Sequence, residues 1–504
     1  MTHVLSRPGA PASSRAFGSR ALGLPLVAVL VVQTALSSAL IGSNTAYVDE
    51  ADYLWAGSQI WRSGLHTLGF EEYFSGSPMI YPLLASAVDG IGGLPLARLV
   101  SLAFMLGTTV LIFATTRHLF TRTAAFFAAG IFAVIAPVQF LGAFATYDAM
   151  ALFLLIASLW CVVRSFTGTS VSEKHFVAAA GLMLLANMTK YATMLYNPIV
   201  VLVALLLFWR RDSMRLAIRR ATVLTVIVVV VGAMFLLAAG PGYWRGFAYT
   251  TLREPGSDAA TDVLTSSARW VGVLAVLALA GAVTCWVRFW RADRHLAAVL
   301  TLLAVAVVLA PLNQLRIHEM QSLDKHVGFG AAFAAVAAGY ALGQVSGTQV
   351  RQWYRFALPV AVVAFAGYLG VQQAWVIYQR WPESSEFMHV LDDLTSPGEE
   401  QYLVQDYDLA AYYMDHDIHR EQWSGVIEFT YTDPGTRRVL HQAEAWVEAI
   451  KDRHFAVIAL SGQTEIDQLV QRTVETTPGY VLVDRIRNEG TGYGVGYYRI
   501  WRLA

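Results

Sequence analysis

Cysteine is nearly missing from this 504-residue chain, where Cys161 and Cys285 are the only two. Each falls within or at the edge of an apolar stretch, which argues against a disulfide framework and leaves both as lipid-facing or packing residues. An excess of either charge is missing too. The 36 basic and 36 acidic side chains cancel, and a nucleic-acid partner, which would need a basic face, is not expected. Charged residues as a class are scarce at 14% against 56% hydrophobic, and the mean hydropathy of +0.48 is too apolar for a soluble globular protein of this length. No glycine-rich phosphate loop and no internal repeat is visible. His3, His66, His118, His175 and His295 are scattered, and His318, Glu319 and His326 lack a ligand spacing, so neither a cofactor nor a metal site is expected and a carboxylate-held divalent ion is not favoured.

Long apolar runs are what the chain has. Stretches able to cross about 30 Å of hydrocarbon lie near 22–41, 97–116, 123–142, 147–166, 175–191, 194–210, 220–240, 268–287, 296–312, 326–345 and 356–377. The expected class is therefore an α-helical polytopic membrane protein with about eleven spans. The first run follows Arg7, Arg15 and Arg20 but lacks a small-residue cleavage site, so it reads as a retained anchor. If the spans alternate, those arginines share one side with Arg117, Arg122, Arg164, Lys174, the Arg210–Arg220 cluster, Arg288, Arg291, Arg294, Arg351 and Arg355. By the positive-inside rule that side is the cytoplasm. Treating Met79–Leu94 as a further span would turn the Arg210–Arg220 cluster outward, so that segment is expected to lie along the outer surface. The three expected parts are a cytoplasmic tail over 1–21, a membrane domain over 22–377 with an outer loop over 42–78, and an extracytoplasmic α/β domain over 378–504. In the last, β-rich runs near 402–405, 454–460 and 479–483 alternate with helix-compatible stretches over 438–450 and 464–473. An accessory or substrate-covering role is expected of it. In the outer loop, Tyr53, Trp55, Trp61 and Tyr73 suit a headgroup layer.

The same topology sends polar residues from four separate loops to the outer face: Asp49, Glu50 and Asp52 after the first span, Asp148 after the third, Lys190 after the fifth, and Arg316 to His326 after the ninth. A lone carboxylate at a span end is usually only solvated. Asp148 is different, because apolar sequence flanks it closely and an Asp inside hydrocarbon costs about 2.5–3.5 kcal/mol. Lys190 sits at a short turn where snorkelling would satisfy it. Arg98, at the outer end of the second span, opposes the positive-inside trend and calls for an anionic partner.

In order along the chain, Tyr47-Val-Asp-Glu-Ala-Asp-Tyr, Ser77-Pro-Met-Ile-Tyr-Pro, Ala97-Arg-Leu-Val-Ser, Arg117-His-Leu-Phe-Thr-Arg, Tyr147-Asp-Ala-Met and Thr189-Lys-Tyr resemble the membrane-embedded glycosyltransferases of the GT-C fold. The branch they resemble contains protein O-mannosyltransferases and the aminoarabinose transferases of lipid A. The resemblance covers about 22–210 in motifs and the later spans in topology. It departs where Ser77-Pro78 replaces two prolines, and where Arg316, His318, Lys325 and His326 stand in place of an Arg-Tyr pair.

The resemblance implies transfer of a sugar from a polyprenyl-phosphate donor to the hydroxyl of a lipid, glycan or protein acceptor, outside a plasma (inner) membrane. Asp49 would be the general base, with Glu50 and Asp148 as catalytic companions that orient the acceptor or hold the cations in place. Arg98, Lys190, Arg316, Lys325 and His326 would bind the donor phosphate. The rival reading is a polytopic lipid or sugar transporter, or flippase. Its signature would be midplane charges, broken paired spans and an inverted repeat, whereas here the charges lie at span ends on one face.

Overall fold

The computed structural model describes residues 23–65, 69–166, 172–253, 255–346, 354–415, 418–425, 429–461, 465–490 and 494–504. Arg7, Arg15, Arg20 and Arg351, which carry part of the orientation argument, lie outside them. The helical part comprises α1 (Leu24–Ile41), α2 (Val48–Ser63), α3 (Ile80–Leu119), α4 (Arg122–Val134), α5 (Ala136–Leu141), α6 (Tyr147–Arg164), α7 (Glu173–Thr189), α8 (Asn197–Arg211), α9 (Met214–Ala239), α10 (Pro241–Thr251), α11 (Ala260–Phe289), α12 (Arg294–Val305), α13 (Leu309–Ile317), α14 (Leu323–Ser346) and α15 (Tyr354–Tyr378).

Among the described residues nine helical runs are long and apolar enough to cross a membrane, and the protein is an integral membrane protein. The other two expected spans take different forms. The 123–142 run is α4 and α5, separated at the extended Ile135. Pro137 has no N–H to continue a helix and instead sits in the first turn of a new one; Gln139 Nε2 donates to the freed Val134 carbonyl at 2.6 Å. The 175–191 run is the 17-residue α7. In α3, Gly93 adopts φ 65°, ψ −172°, a conformation open to glycine. The resulting kink divides a shorter helical segment starting at Ile80 from a longer one that ends at Leu119.

The helix that matters most for the site is α14. Almost all of its apolar window is buried, and its Ala/Gly-rich sequence lets α4 and α11 approach closely. At Gly339 a Cβ would stand 2.5 Å from the Ala124 carbonyl oxygen, so only glycine fits. Lys325 and His326, in its first turn, are thereby held in a buried frame.

Beyond Tyr378 come α16 (Ser385–Leu394), β1 (Gln401–Val404), α17 (Tyr407–Tyr413), β2 (Trp423–Ser424), β3 (Thr430–Thr432), β4 (Val439–His441), α18 (Gln442–Lys451), β5 (Phe455–Leu460), α19 (Glu465–Thr476), β6 (Tyr480–Gly490) and β7 (Gly494–Leu503). Five strands form one sheet in the order β2-β1-β5-β7-β6. β1 runs parallel to β2 and β5, and β7 is antiparallel to β5 and β6. Strand alternation splits β5 between two cores. Ile458 and Leu460 pack with Trp446 and Trp501, while Val457 and Ala459 face Leu409 and the α2 residues Ala51, Leu54 and Trp55. The sheet-containing part is thus joined through α2 to the membrane helices. Tyr53 and Trp55 are accordingly buried rather than in a headgroup layer, while Trp61 and Tyr73 are exposed. Both cysteines are free, Cys285 buried and Cys161 half-buried.

Candidate active site

The loop over 42–78 contains a helix, and its start sets the site. Tyr47 is extended at the N-cap of α2, and the Glu50 carboxylate turns back to accept the Tyr47 N–H at 3.1 Å. Asp49 and Glu50 both fall in the first turn, where the helix dipole favours carboxylates. Adjacent positions on a helix point about 100° apart, and these two point to different places.

Glu50 points inward. Its Oε1 and Oε2 accept from Arg98 Nε and Nη2 at 2.9 and 2.6 Å, and Oε1 also accepts the Ala145 N–H at 2.7 Å. Arg98 Nη1 donates to the carbonyls of Ile41 and Asn44, and Nη2 to that of Thr45. Glu50 is 0% and Arg98 1% exposed. All five guanidinium N–H groups are occupied, and neither residue lines the cavity described next. Arg98 therefore has no donor left for a phosphate, which corrects that expectation, and of the two roles expected of Glu50 its place as the buried counter-ion of Arg98 fits holding a cation.

Asp49 points outward into a cavity of about 430 Å³, within the usual range of about 300–1,000 Å³ for small-molecule sites. Asp52 and Tyr53 line the same cavity, three and four residues on along one helix face. Asp49 Oδ2 lies 2.5 Å from Lys325 Nζ and its side chain is 41% exposed. Lys190 lines the cavity above the Tyr147 ring. Behind it, the buried Asp148 holds Lys190 Nζ at 2.9 Å and accepts from Thr146 Oγ1 at 3.0 Å. Asp148 is therefore positioned to orient a cation and does not itself face the cavity. Tyr147 accepts from Tyr53 Oη at 2.7 Å and is bonded to the Ser75 hydroxyl.

His326 and Arg316 also line the cavity. His326 Nε2 is buried without a hydrogen-bond partner among the described residues. Arg316 is bonded only to Asn313 Oδ1, at 3.1 Å, and makes no ion pair among the described residues. The connection between α13 and α14 carries two non-glycine residues at positive φ, His318 (49°) and Ser322 (61°), a strained geometry that persists only where surrounding bonds hold it. Those bonds are Gln314 Nε2 to the Gln321 carbonyl, Asp258 to the Met320 N–H, and Arg253 Nη1 to both Glu319 oxygens. Met194, Leu195, Ile317 and Phe329 form an apolar wall.

The opposite face of α2 is held by the sheet-containing part. Asp415 accepts from Trp55 Nε1, Ser58 Oγ and Gln59 Nε2, and pairs with Arg62 at 2.9 Å. These partners sit at helical spacing on one stripe. Arg420 covers the Trp55 and Tyr407 rings. Burial, then the nearby carboxylates of Asp408 and Asp49, push the Asp52 carboxyl well above its ordinary range. Burial likewise pushes Asp408 and Asp406 up to about 6.

Of the residues expected from sequence, the cavity gathers Asp49, Lys190, Arg316, Lys325 and His326, keeps Asp148 behind Lys190, and excludes Glu50 and Arg98. Sequence reasoning passed over Asp52 and Tyr53 as site residues, although their spacing from Asp49 was a usable signal. Tyr147 stood in the motif Tyr147-Asp-Ala-Met, whereas Arg253 and Asp415 had no signal. Among the described residues no group of three or more His, Cys, Asp or Glu side chains is arranged to hold a metal ion.

Residues 79–235 match the family model of dolichyl-phosphate-mannose-protein mannosyltransferases. No curated protein matches the chain by sequence. Among solved structures, ArnT from Cupriavidus metallidurans bound to undecaprenyl phosphate is similar with a TM-score of 0.63 at 15% identity, over 94% of this chain and 97% of that one. The Archaeoglobus fulgidus oligosaccharyltransferase is similar with a TM-score of 0.55 at 14% identity, over 94% and 74%. The mycobacterial arabinofuranosyltransferase AftD gives 0.54 at 14% identity, over 95% and 40%. At these identities the likeness concerns the fold, which is the GT-C fold of membrane glycosyltransferases.

Proposed function

From a chain with the GT-C fold and this cavity, we propose a membrane glycosyltransferase that moves a sugar from a polyprenyl-phosphate donor to an acceptor hydroxyl on the extracytoplasmic side of the inner membrane. The observation that carries the reading is one cavity presenting an accessible carboxylate, Asp49, beside Lys325, Lys190 and the unpaired Arg316, with an apolar wall alongside. The apolar wall suits the first isoprene units of the donor, whose remainder lies among the membrane helices. Undecaprenyl phosphate in the similar ArnT structure and dolichol-phosphate in a structure of the Archaeoglobus fulgidus oligosaccharyltransferase favour such a donor.

In the reaction the acceptor O–H gives its proton to Asp49 while its oxygen attacks the anomeric carbon. The bond from that carbon to the phosphate oxygen breaks, and the lipid phosphate leaves with one more negative charge than it had in the diester. Cations rather than an acid are what this leaving group needs, and Arg316, Lys190 and Lys325 supply them. Lys325 has a double role: when the donor phosphate takes up its ammonium, Asp49 loses its partner and its oxygen is free to accept the proton. Asp148 keeps Lys190 aimed at the same point. A single displacement of this kind inverts the anomeric centre.

The test is release of labelled sugar from polyprenyl-phosphate donors by the purified full-length protein with a panel of acceptors, wild type beside Asp49→Asn. Loss of a general base predicts a fall in turnover of about 10²–10⁴-fold with donor binding retained. Consumption of no donor by the wild type, or full turnover in Asp49→Asn, refutes the proposal.

A further inference from the structure

A second, smaller pocket of about 50 Å³ lies in the sheet-containing part. Gln405 and Asp406 follow β1 directly and Ser461 follows β5 directly, so the pocket opens at the carboxyl ends of two adjacent parallel strands, the place where open α/β sheets take their ligands. Its lining is oxygen-rich. Asp406 accepts from Tyr498 Oη at 2.9 Å, and Gln405 Oε1 accepts the Ser461 N–H at 2.6 Å. Asn488 and Ser461 also line it and are 3% and 7% exposed; Asn488 Oδ1 and Ser461 Oγ are buried with no hydrogen-bond partner among the described residues. Unpaired buried polar atoms are costly, and two of them on residues that line one pocket point to a polar ligand there.

The chemistry narrows what that ligand is. A carboxylate with no lining cation rejects anions. One carboxylate alone is a poor cage for a hard cation, which takes six to eight oxygens and several charges. The polar lining rejects an apolar group. At roughly 10–15 Å³ per oxygen-sized group, the volume accepts about three to five, enough for the adjacent hydroxyls along one edge of a sugar ring. The Trp381 ring, also in the lining, offers an apolar surface to the C–H face. We propose that this pocket binds one edge of a neutral sugar, with the rest of the ring at its mouth.

Trp381 links the pocket to the reaction centre. It packs against Tyr47, the N-cap of α2, with ring centroids 6.1 Å apart, and its carbonyl accepts from Asn44 Nδ2 at 2.9 Å. That the bound sugar belongs to a glycan acceptor rests on the transferase reading; the pocket itself does not.

The experiment is saturation-transfer NMR on the full-length protein in lipid nanodiscs, with free mannose, glucose, galactose and arabinose, their disaccharides, and calcium as separate probes. A saturable sugar signal is expected in wild type and in Asp49→Asn, weakened at least tenfold in Asn488→Leu. Ser461→Ala, a smaller change, is expected to weaken it by several-fold, and serves if Asn488→Leu does not fold. Disaccharides outcompeting monosaccharides marks a glycan chain as the source. No saturable sugar signal, a signal untouched by both pocket variants, or saturation by calcium alone overturns the assignment. Because Asp49→Asn retains binding, failure here is distinct from failure of the transfer reaction.

Discussion

Replacing Glu50 by Gln leaves the Arg98 guanidinium charged, about 1% exposed and facing three backbone carbonyls and an amide in place of a carboxylate. Breaking a buried ion pair by removing one partner costs about 3–5 kcal/mol, a large share of the stability of most domains. Arg98→Met leaves the opposite orphan, a carboxylate with only the Tyr47 and Ala145 N–H groups, at a similar cost of about 3–5 kcal/mol. The double variant removes both charges, so its cost should fall short of the sum of the singles by about 2–3 kcal/mol. The assay is equilibrium unfolding in detergent for all four proteins, alongside turnover measured at a temperature where each is folded. Strong coupling, with residual turnover in the double variant, supports a scaffold that fixes the loop from Ile41 to Thr45 against α2. A Glu50→Gln protein with wild-type stability and no turnover would refute this and return Glu50 to the chemistry.

Three further expectations follow from the same geometry. Arg316→Ala should weaken donor binding by about 10- to 150-fold, the worth of a charge-assisted hydrogen bond of roughly 1.5–3 kcal/mol, with Arg316→Lys intermediate; isothermal titration with a polyprenyl phosphate reads it. Asp415→Ala removes the acceptor shared by Trp55, Gln59 and Arg62 and should lower kcat more than it raises donor KM, because it frees the helix bearing Asp49; Asp415→Asn, which keeps one acceptor oxygen, should recover part of the rate. Asp406 and Asp408 are pushed up to about 6 from an ordinary 3.8, so the folded protein binds protons that the unfolded chain has released. Their contribution to stability is fully present below about pH 4 and is lost as pH rises through about 6. Unfolding midpoints from pH 4 to 7 should fall with that slope, and Asp406→Asn should flatten it.

Apolar run length and the sidedness of arginines suffice to read a membrane protein and the gathering of Asp49, Lys190 and the Arg316–His326 stretch in one place, because hydrocarbon thickness and the positive-inside bias act on local composition. The β1 and β5 strands were legible for a similar reason, since their apolar runs are short and bounded. The breaks were less so: at Ile135 the chain obeys Pro137, and at Gly93 a kink needs a φ that many glycines never use. The division of labour between Asp49 and Glu50 was decided only by tertiary structure. Both occupy the first turn of one helix, and the roughly 100° between neighbours places one against Arg98 and the other in the cavity. Arg98 likewise announced an anionic partner through its position, while which anion it met depended on where α2 lay against α3. Asp415, far along the chain in a segment with no motif, became part of the site because the sheet-containing part packs on the back of α2, a contact between distant residues that no local pattern encodes.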